Sequence, residues 1–296
     1  MSIAVIGAGK WGQGLHFALS KKQSCLIASP HSKLEIKDFV SIEEALNCEF
    51  LVFALSAQNI ASWLKANFKN KGQKILLASK GIDTATCRFL DEIFLDFVDK
   101  ENFCVLSGPS FAAEVMQGLP CALCVSGYDK ALCETFASFF PPFIKAYVSE
   151  DVRGAEICGA YKNVLAIASG LCEGLNLGNN ARASLISRGL IEMHRFGAKF
   201  GAKEETFLGL SGAGDLFLTA SSTLSRNFRA GLLLARGKSK DEVIAELKEV
   251  VEGVPTAFAI AKIAAKQGIY TPIVKEVLAI LEGKDAKESL KDLRGR

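Results

Sequence analysis

Two charged residues stand alone in apolar surroundings, and both are of types that move protons. Sixteen residues separate Glu156 from Glu173, and Lys162 is the only charged one among them. Its neighbours are small or apolar: Ala160, Tyr161, Asn163, Val164, Leu165, Ala166 and Ile167. Burial disfavours an ammonium and lowers its pKa, which makes Lys162 a candidate general acid and base. The competing reading is a surface lysine that lays its stem along a helix and keeps its head in water. Gly154, Gly159, Ala160 and Gly170 predict close packing and favour the first reading. Twenty residues lie between Glu205 and Arg226, and Asp215 is their only charge, in the run Leu210-Ser211-Gly212-Ala213-Gly214-Asp215-Leu216. A buried carboxylate needs a cation or several donors. Lys162 is the obvious partner, and a plain helix N-cap is the alternative. Downstream, Ser225-Arg226-Asn227 sets a guanidinium between two polar side chains, a grouping suited to phosphate and otherwise an ordinary surface turn.

A second kind of chemistry needs backbone rather than side chains. The apolar run Ile3–Ile6 leads into Gly7-Ala8-Gly9-Lys10-Trp11-Gly12, and a helical stretch follows. GxGxxG between a strand and a helix is a dinucleotide-binding pattern: Gly7 permits the turn, Gly9 admits a pyrophosphate to the backbone, and Gly12 allows the helix to pack closely. N–H groups at the helix start would hold the anion. At the end of the next apolar run, Ala28-Ser29-Pro30-His31-Ser32-Lys33 offers no acid before Glu35, where an NAD-preferring site usually has one. His31 or Lys33 facing a 2′-phosphate would allow NADP, and exposed loop residues are the competing reading. Ser79-Lys80-Gly81 and Ser107-Gly108-Pro109-Ser110 follow strands, at the ends where open α/β sheets bind ligands. Lys80 is placed to meet a phosphate, and Ser110 to bond a ligand or to cap a helix near Phe111. His16 and His194 fall within helical segments and read as packed or exposed.

These residues sit on two kinds of scaffold. Strands are predicted at 3–6, 24–28, 50–55, 74–79, 103–107, 121–126 and 143–148, mostly as continuous apolar runs, with helical segments such as 10–20, 57–68 and 130–139 between them. That alternation argues for a doubly wound, parallel α/β sheet. Past Ser149 only helices are predicted, at 151–174, 180–200, 227–236, 239–248, 255–267 and 271–282, so the boundary is placed near residue 149. The basic tail 294–296 reads as frayed.

Composition narrows the classes. In 296 residues, 49% are hydrophobic and 23% charged, enough for sizeable cores, and twenty Phe read as core filling. A net charge of +3 gives no reason to expect nucleic acid or an anionic membrane as partner. No apolar stretch is long enough for a membrane span, and Met1 to Ile6 lacks the pattern of a signal peptide. Nine scattered Cys suit a reducing cytoplasm. Cys121 and Cys124 form a lone CxxC without a second pair, so no metal is expected and buried strand cysteines are the better reading.

Together the motifs resemble the bacterial NAD(P)-dependent sn-glycerol-3-phosphate dehydrogenase family, over nearly the whole chain: GAGKWG (7–12), SKG (79–81), SGPSFAAE (107–114), GAYKNVLAI (159–167), GLNLGNNARASLISRGLIEM (174–193), GLSGAGDL (209–216), SRN (225–227) and VVEGVPTA (250–257). The resemblance implies a Rossmann-type NAD(P)-binding domain over 1–149 and an all-helical substrate-binding and catalytic domain over 150–296. It implies reversible reduction of dihydroxyacetone phosphate to sn-glycerol 3-phosphate by NAD(P)H in the cytoplasm, supplying phospholipid synthesis. Lys162 matches the family's catalytic lysine, and Asp215 the carboxylate that orients lysine and substrate. Lys80, Gly108, Ser110, Ser225, Arg226 and Asn227 match substrate contacts, Lys80 and Arg226 also reaching the cofactor. Trp11, Ala112, Val250 and Glu252 match further cofactor contacts, beside Gly7, Gly9, Gly12 and His31. The run Ser29-Pro30-His31 departs from the family pattern and leaves NAD against NADP open. Two other readings compete: a different two-domain dehydrogenase, of 6-phosphogluconate or 3-hydroxyacid type, and a non-catalytic NAD(P)H sensor, which would have no use for Lys162 with Asp215. Oligomeric state stays open, a homodimer included.

Overall fold

Seven short apolar runs become strands of one sheet in the computed structural model, which describes residues 2–31 and 35–294, the last by its backbone alone. They are β1 (Ile3–Ile6), β2 (Cys25–Ala28), β3 (Phe50–Phe53), β4 (Lys74–Leu77), β5 (Phe103–Ser107), β6 (Cys121–Gly127) and β7 (Ile144–Ser149). Every residue of β1 and β3 is buried, because the sheet is covered on both faces. Alternate residues feed two separate cores. Ile3, Val5, Phe50 and Val52 pack with Leu15, Leu19 and Phe136. Ala4, Ile6, Leu51 and Phe53 pack with Ile60, Leu64 and Phe94. Lys33 and the end of the basic tail lie outside the described residues.

The strand order is β2-β1-β3-β4-β5-β6-β7. β1 pairs in parallel with β2 on one side and β3 on the other, so the order of addition reverses at β1. The glycine loop leaves the carboxyl end of that strand, the point where such sheets leave a crevice. A single parallel bridge from Ile27 to Phe39 adds the vestige of a further strand outside β2. One expectation is corrected: β6 runs antiparallel to β5. The chain between them holds only the short helix Ala112–Val115, too little to carry it back along the sheet as a covering helix does. The Lys130–Ser138 helix supplies that return, and β7 is parallel to β6.

The described chain forms two compact units, one gathering the residues up to Ser79 with Leu90–Glu156, the other gathering Lys80–Phe89 with the residues from Ile157 onward. The first unit is the sheet and its helices. The second is helical, and its core surrounds the part of the Val152–Gly174 helix that begins at Ile157. Residues 157–172 of that helix are all buried, as expected of a helix apolar on every side. Gly170 has no room for a Cβ, which would lie 2.0 Å from the Phe228 carbonyl oxygen; the Arg226–Ala235 helix crosses there at close range.

The Lys80–Phe89 segment is a small hairpin. Ile82 and Phe89 form an antiparallel bridge, and Asp83 accepts bonds from the Thr86 N–H (2.8 Å) and hydroxyl (2.5 Å). Ile82 and Phe89 belong to the helical core, where the Phe89 and Phe200 rings meet edge to face with centroids 5.2 Å apart. Among the described residues, no helix is long and apolar enough to cross a membrane.

Candidate active site

In the second unit the lone lysine and the lone aspartate meet. Lys162 Nζ donates to Asp215 Oδ1 at 2.6 Å and to the Thr219 hydroxyl at 2.9 Å. Lys80 Nζ donates to the other oxygen, Asp215 Oδ2, at 2.7 Å. One carboxylate thus lies between two ammonium groups, with its side chain 1% exposed. The surface-lysine reading of Lys162 fails because its helix is enclosed on all sides. The N-cap reading of Asp215 fails too: Gly214 occupies the cap of the Asp215–Ala220 helix, and the carboxylate is taken by the lysines. A five-residue π-helical turn, Leu210–Gly214, precedes that helix and delivers Asp215 as its first residue.

Electrostatics follow from that burial. For Asp215, burial opposes ionisation, but the Lys162 and Lys80 charges outweigh it and hold the carboxyl below its usual range. Burial works against the Lys162 ammonium, Asp215 supports it and the Lys80 charge opposes it; together they push Lys162 down to about 8. Such a group is poised to give and take a proton near neutral pH. Lys80 reaches the cluster because Gly159 leaves space: a Cβ there would lie 3.2 Å from Lys80 Cγ.

Elsewhere in the helical unit, Ser225 caps the Arg226–Ala235 helix, its hydroxyl accepting the Phe228 N–H at 3.2 Å. Arg226, the first residue of that helix, is exposed, as is Val250, while Glu252 is half-buried. Asn227 is buried and bonds Asn163 and the Gly253 N–H. The bonds of Thr219 to Lys162 and of Asn163 to Asn227 are additions of the structure to the sequence reading. Thr219 stands four residues after Asp215, one helical turn, and Asn163 is next to Lys162; both positions were findable. The Lys80–Asp215 pairing spans 135 residues and left no local signal.

In the first unit the candidate cofactor loop is a matter of backbone space. Gly7 has φ +114°, and a Cβ on it would lie 2.6 Å from the Ala54 carbonyl oxygen. A Cβ at Gly12 would lie 1.7 Å from the Gly7 oxygen. Gly9 is different: a Cβ there would meet nothing within 4 Å. Gly7 and Gly12 are therefore required by the protein's own packing, whereas Gly9 leaves a cradle open. It caps the Lys10–Ser20 helix, whose first turn has no acidic residue and no side-chain cap. Backbone donors and the helix dipole there suit a pyrophosphate, so the residues present fit a dinucleotide.

Other predicted positions in this unit are placed as follows. Trp11 Nε1 donates to the Ala78 carbonyl at 3.2 Å, tying the loop to the end of β4. His31 is exposed beyond β2, with its N–H on the Ser29 hydroxyl. Gly108 directly follows β5 with φ +111°, and Ser110 bonds its carbonyl at 3.1 Å instead of capping a helix. Ala112 lies under the Lys10–Ser20 helix, 3.5 Å from where a Gly14 Cβ would stand. His16 is buried against the Cys25 carbonyl and His194 packs on the Phe207 ring.

Comparison with known proteins agrees over both units. The NAD-dependent glycerol-3-phosphate dehydrogenase N-terminus profile matches residues 27–133, and the C-terminus profile of the same family matches 151–291. A glycerol-3-phosphate dehydrogenase [NAD(P)+] of Campylobacter jejuni (strain RM1221) is 69% identical over 99% of this chain and 98% of its own length. One from Campylobacter lari is 64% identical over 99% and 97%. The crystal structure of glycerol-3-phosphate dehydrogenase from Coxiella burnetii superposes with a TM-score of 0.92 at 30% identity, covering 100% of this chain and 99% of that one. With both halves of the chain matched in order and relatives aligned over 99% of it, this protein belongs to the NAD-dependent glycerol-3-phosphate dehydrogenase family.

Proposed function

We propose that the chain reversibly reduces dihydroxyacetone phosphate to sn-glycerol 3-phosphate with NAD(P)H, supplying glycerol 3-phosphate for phospholipid synthesis. The observation that carries the reading is the buried Lys162–Asp215–Lys80 cluster in a chain of this family. Residues 1–149 form the cofactor-binding part and 150–296 the substrate-binding and catalytic part, with Lys80, Gly108 and Ser110 of the first lending contacts to the substrate and Arg226, Val250 and Glu252 of the second lending contacts to the cofactor. Bound NAD(P)H supplies the hydride that reduces the carbonyl carbon. Gly9 gives the pyrophosphate its approach, Gly7 and Gly12 shape the loop around it, and Trp11, His31, Lys80, Ala112, Arg226, Val250 and Glu252 complete the cofactor contacts.

In reduction, Lys162 gives its Nζ proton to the carbonyl oxygen, which becomes the C2 hydroxyl; in oxidation neutral Lys162 takes that proton back. Asp215 orients the Lys162 head, and Lys80 holds the second carboxylate oxygen, so Asp215 stays an anion while its partner titrates. Substrate is held by Lys80, Gly108, Ser110, Ser225, Arg226 and Asn227, with the Arg226 guanidinium meeting the phosphate. A phosphate needs that charge, so unphosphorylated dihydroxyacetone should be a poor substrate. The enzyme works in the cytoplasm, and a homodimer is the assembly to look for by light scattering.

The test is purified protein with dihydroxyacetone phosphate, following loss of reduced-nicotinamide absorbance with NADH and NADPH separately. Oxidation of either, absent with unphosphorylated dihydroxyacetone, is expected. The ratio between the two cofactors reads out what the loop carrying His31 prefers. Folded protein that binds the cofactor and oxidises it with neither substrate overturns the assignment.

A further inference from the structure

Asn227 lies in the Ser225-Arg226-Asn227 run assigned above to the substrate, yet its amide is bonded inside the protein. Its Nδ2 donates to Asn163 Oδ1 at 2.9 Å, and its Oδ1 accepts the Gly253 N–H at 2.9 Å. Asn163 Nδ2 in turn donates to the Gly159 carbonyl at 3.2 Å. A backbone N–H only donates and a carbonyl only accepts, so the two ends fix the orientation of both amides. The relay runs from Gly253, through Asn227 and Asn163, to Gly159, and both side chains are buried.

The elements it joins are those that carry the proposed chemistry. Gly159 and Asn163 flank Lys162 on one helix. Asn227 follows Arg226 in the opening turn of another. Gly253 opens a third, directly after the Val250–Glu252 segment. The junction is tight: a Cβ at Gly253 would lie 2.7 Å from the Asn163 carbonyl oxygen and 2.8 Å from Asn227 Oδ1. A bond between side chains at such a crossing sets the register of three backbones at once. A polar group left unmatched there would be costly.

We infer that Asn163 and Asn227 are positioning residues, whose relay holds the Val250–Glu252 segment, and through it the bound cofactor, in register with Lys162. The inference rests on the reading of Val250 and Glu252 as cofactor contacts. Asn227 then acts on the cofactor as well as on the phosphate, and Asn163 acts on the cofactor without touching it.

The experiment measures NADH and NADPH affinity by reduced-nicotinamide fluorescence, together with the KM for dihydroxyacetone phosphate. It compares Asn163→Ala, Asn227→Ala, the double variant and Glu252→Ala. Each asparagine variant is expected to weaken cofactor binding by about tenfold, and the double variant to be no worse than the worse single one, because serial links fail together. Additive losses, or a loss confined to the KM for dihydroxyacetone phosphate in Asn227→Ala with Asn163→Ala unaffected, overturn the relay. Unchanged cofactor affinity in Glu252→Ala overturns the assignment of that segment, and the inference with it. Affinity lowered in Glu252→Ala but not in Asn163→Ala overturns the relay alone. Should Asn227→Ala fail to fold, Asn227→Asp keeps an acceptor for the Gly253 N–H and sets a second acceptor against Asn163 Oδ1. It should reproduce the cofactor loss, and wild-type affinity in it would count against the relay.

Discussion

The candidate sites of the two units are built in opposite ways. In the sheet unit, the loop after β1 is shaped by what is missing: Gly9 leaves open space, and the helix behind it presents backbone donors. In the helical unit the site consists of side-chain charge, two ammonium groups on one carboxylate, packed among apolar residues. The first arrangement needs only steric permission and tolerates many neighbours. The second is held by mutual compensation, since any of the three charges would be costly to bury alone. The glycine loop is thus built locally, over six residues, whereas the charge cluster draws on positions 80, 162 and 215.

The largest effect should come from the charge cluster. Lys162→Ala should lower kcat by about a thousandfold, within the usual reach of general acid–base catalysis, while the Kd for NAD(P)H stays near wild type. Equal losses in both would mean that the two sites are not separable. Next, Arg226→Ala should raise the KM for dihydroxyacetone phosphate by about ten- to a hundredfold, as expected for losing a charged hydrogen bond to phosphate. An unchanged dependence on substrate concentration would remove Arg226 from phosphate binding.

The glycine loop is tested by a pair. Gly9→Ala should weaken NAD(P)H binding by about tenfold and leave Tm nearly unchanged, because its Cβ meets no protein atom. Gly12→Ala should lower Tm as well, because its Cβ collides with the Gly7 carbonyl. If Gly9→Ala bound cofactor normally, the open space would not be a cradle.

The mildest effect is one of pH. Lys162 is pushed down to about 8, and only its protonated form can donate. The rate of reduction should therefore fall as pH rises through about 8, and the rate of oxidation should rise over the same interval. Initial rates in both directions from pH 6.5 to 9.5, at saturating substrate, check this; parallel profiles would contradict a single group serving both.

Much of the fold was legible because burial writes itself into short apolar runs. All seven strands lie where the runs stand, and the Lys10–Ser20 helix has the expected bounds. Elements shorter than about two turns carry no periodicity to read; the π-helical turn before Asp215 and the helix Leu90–Phe94 belong to these. Strand direction was misjudged at β6, since an apolar run reads the same in both directions. The meeting of Lys162 and Asp215 was legible from the isolation of each charge. The bond from Lys80 to Asp215 was not, because a lysine at a strand end reads as a phosphate contact until the packing of Ile82 and Phe89 into the helical core is known.

The Lys80–Phe89 hairpin bears on how this protein can be divided. Residues 150–296 look like an autonomous helical domain by sequence, but the compact helical unit includes ten residues that precede them by sixty positions. A fragment begun at residue 150 would lose Ile82 and Phe89 from its core and leave Asp215 with one cation where it now has two. Excision, domain exchange and circular permutation must therefore carry the hairpin along with the helices, and a split placed between Ser79 and Leu90 severs the helical unit itself.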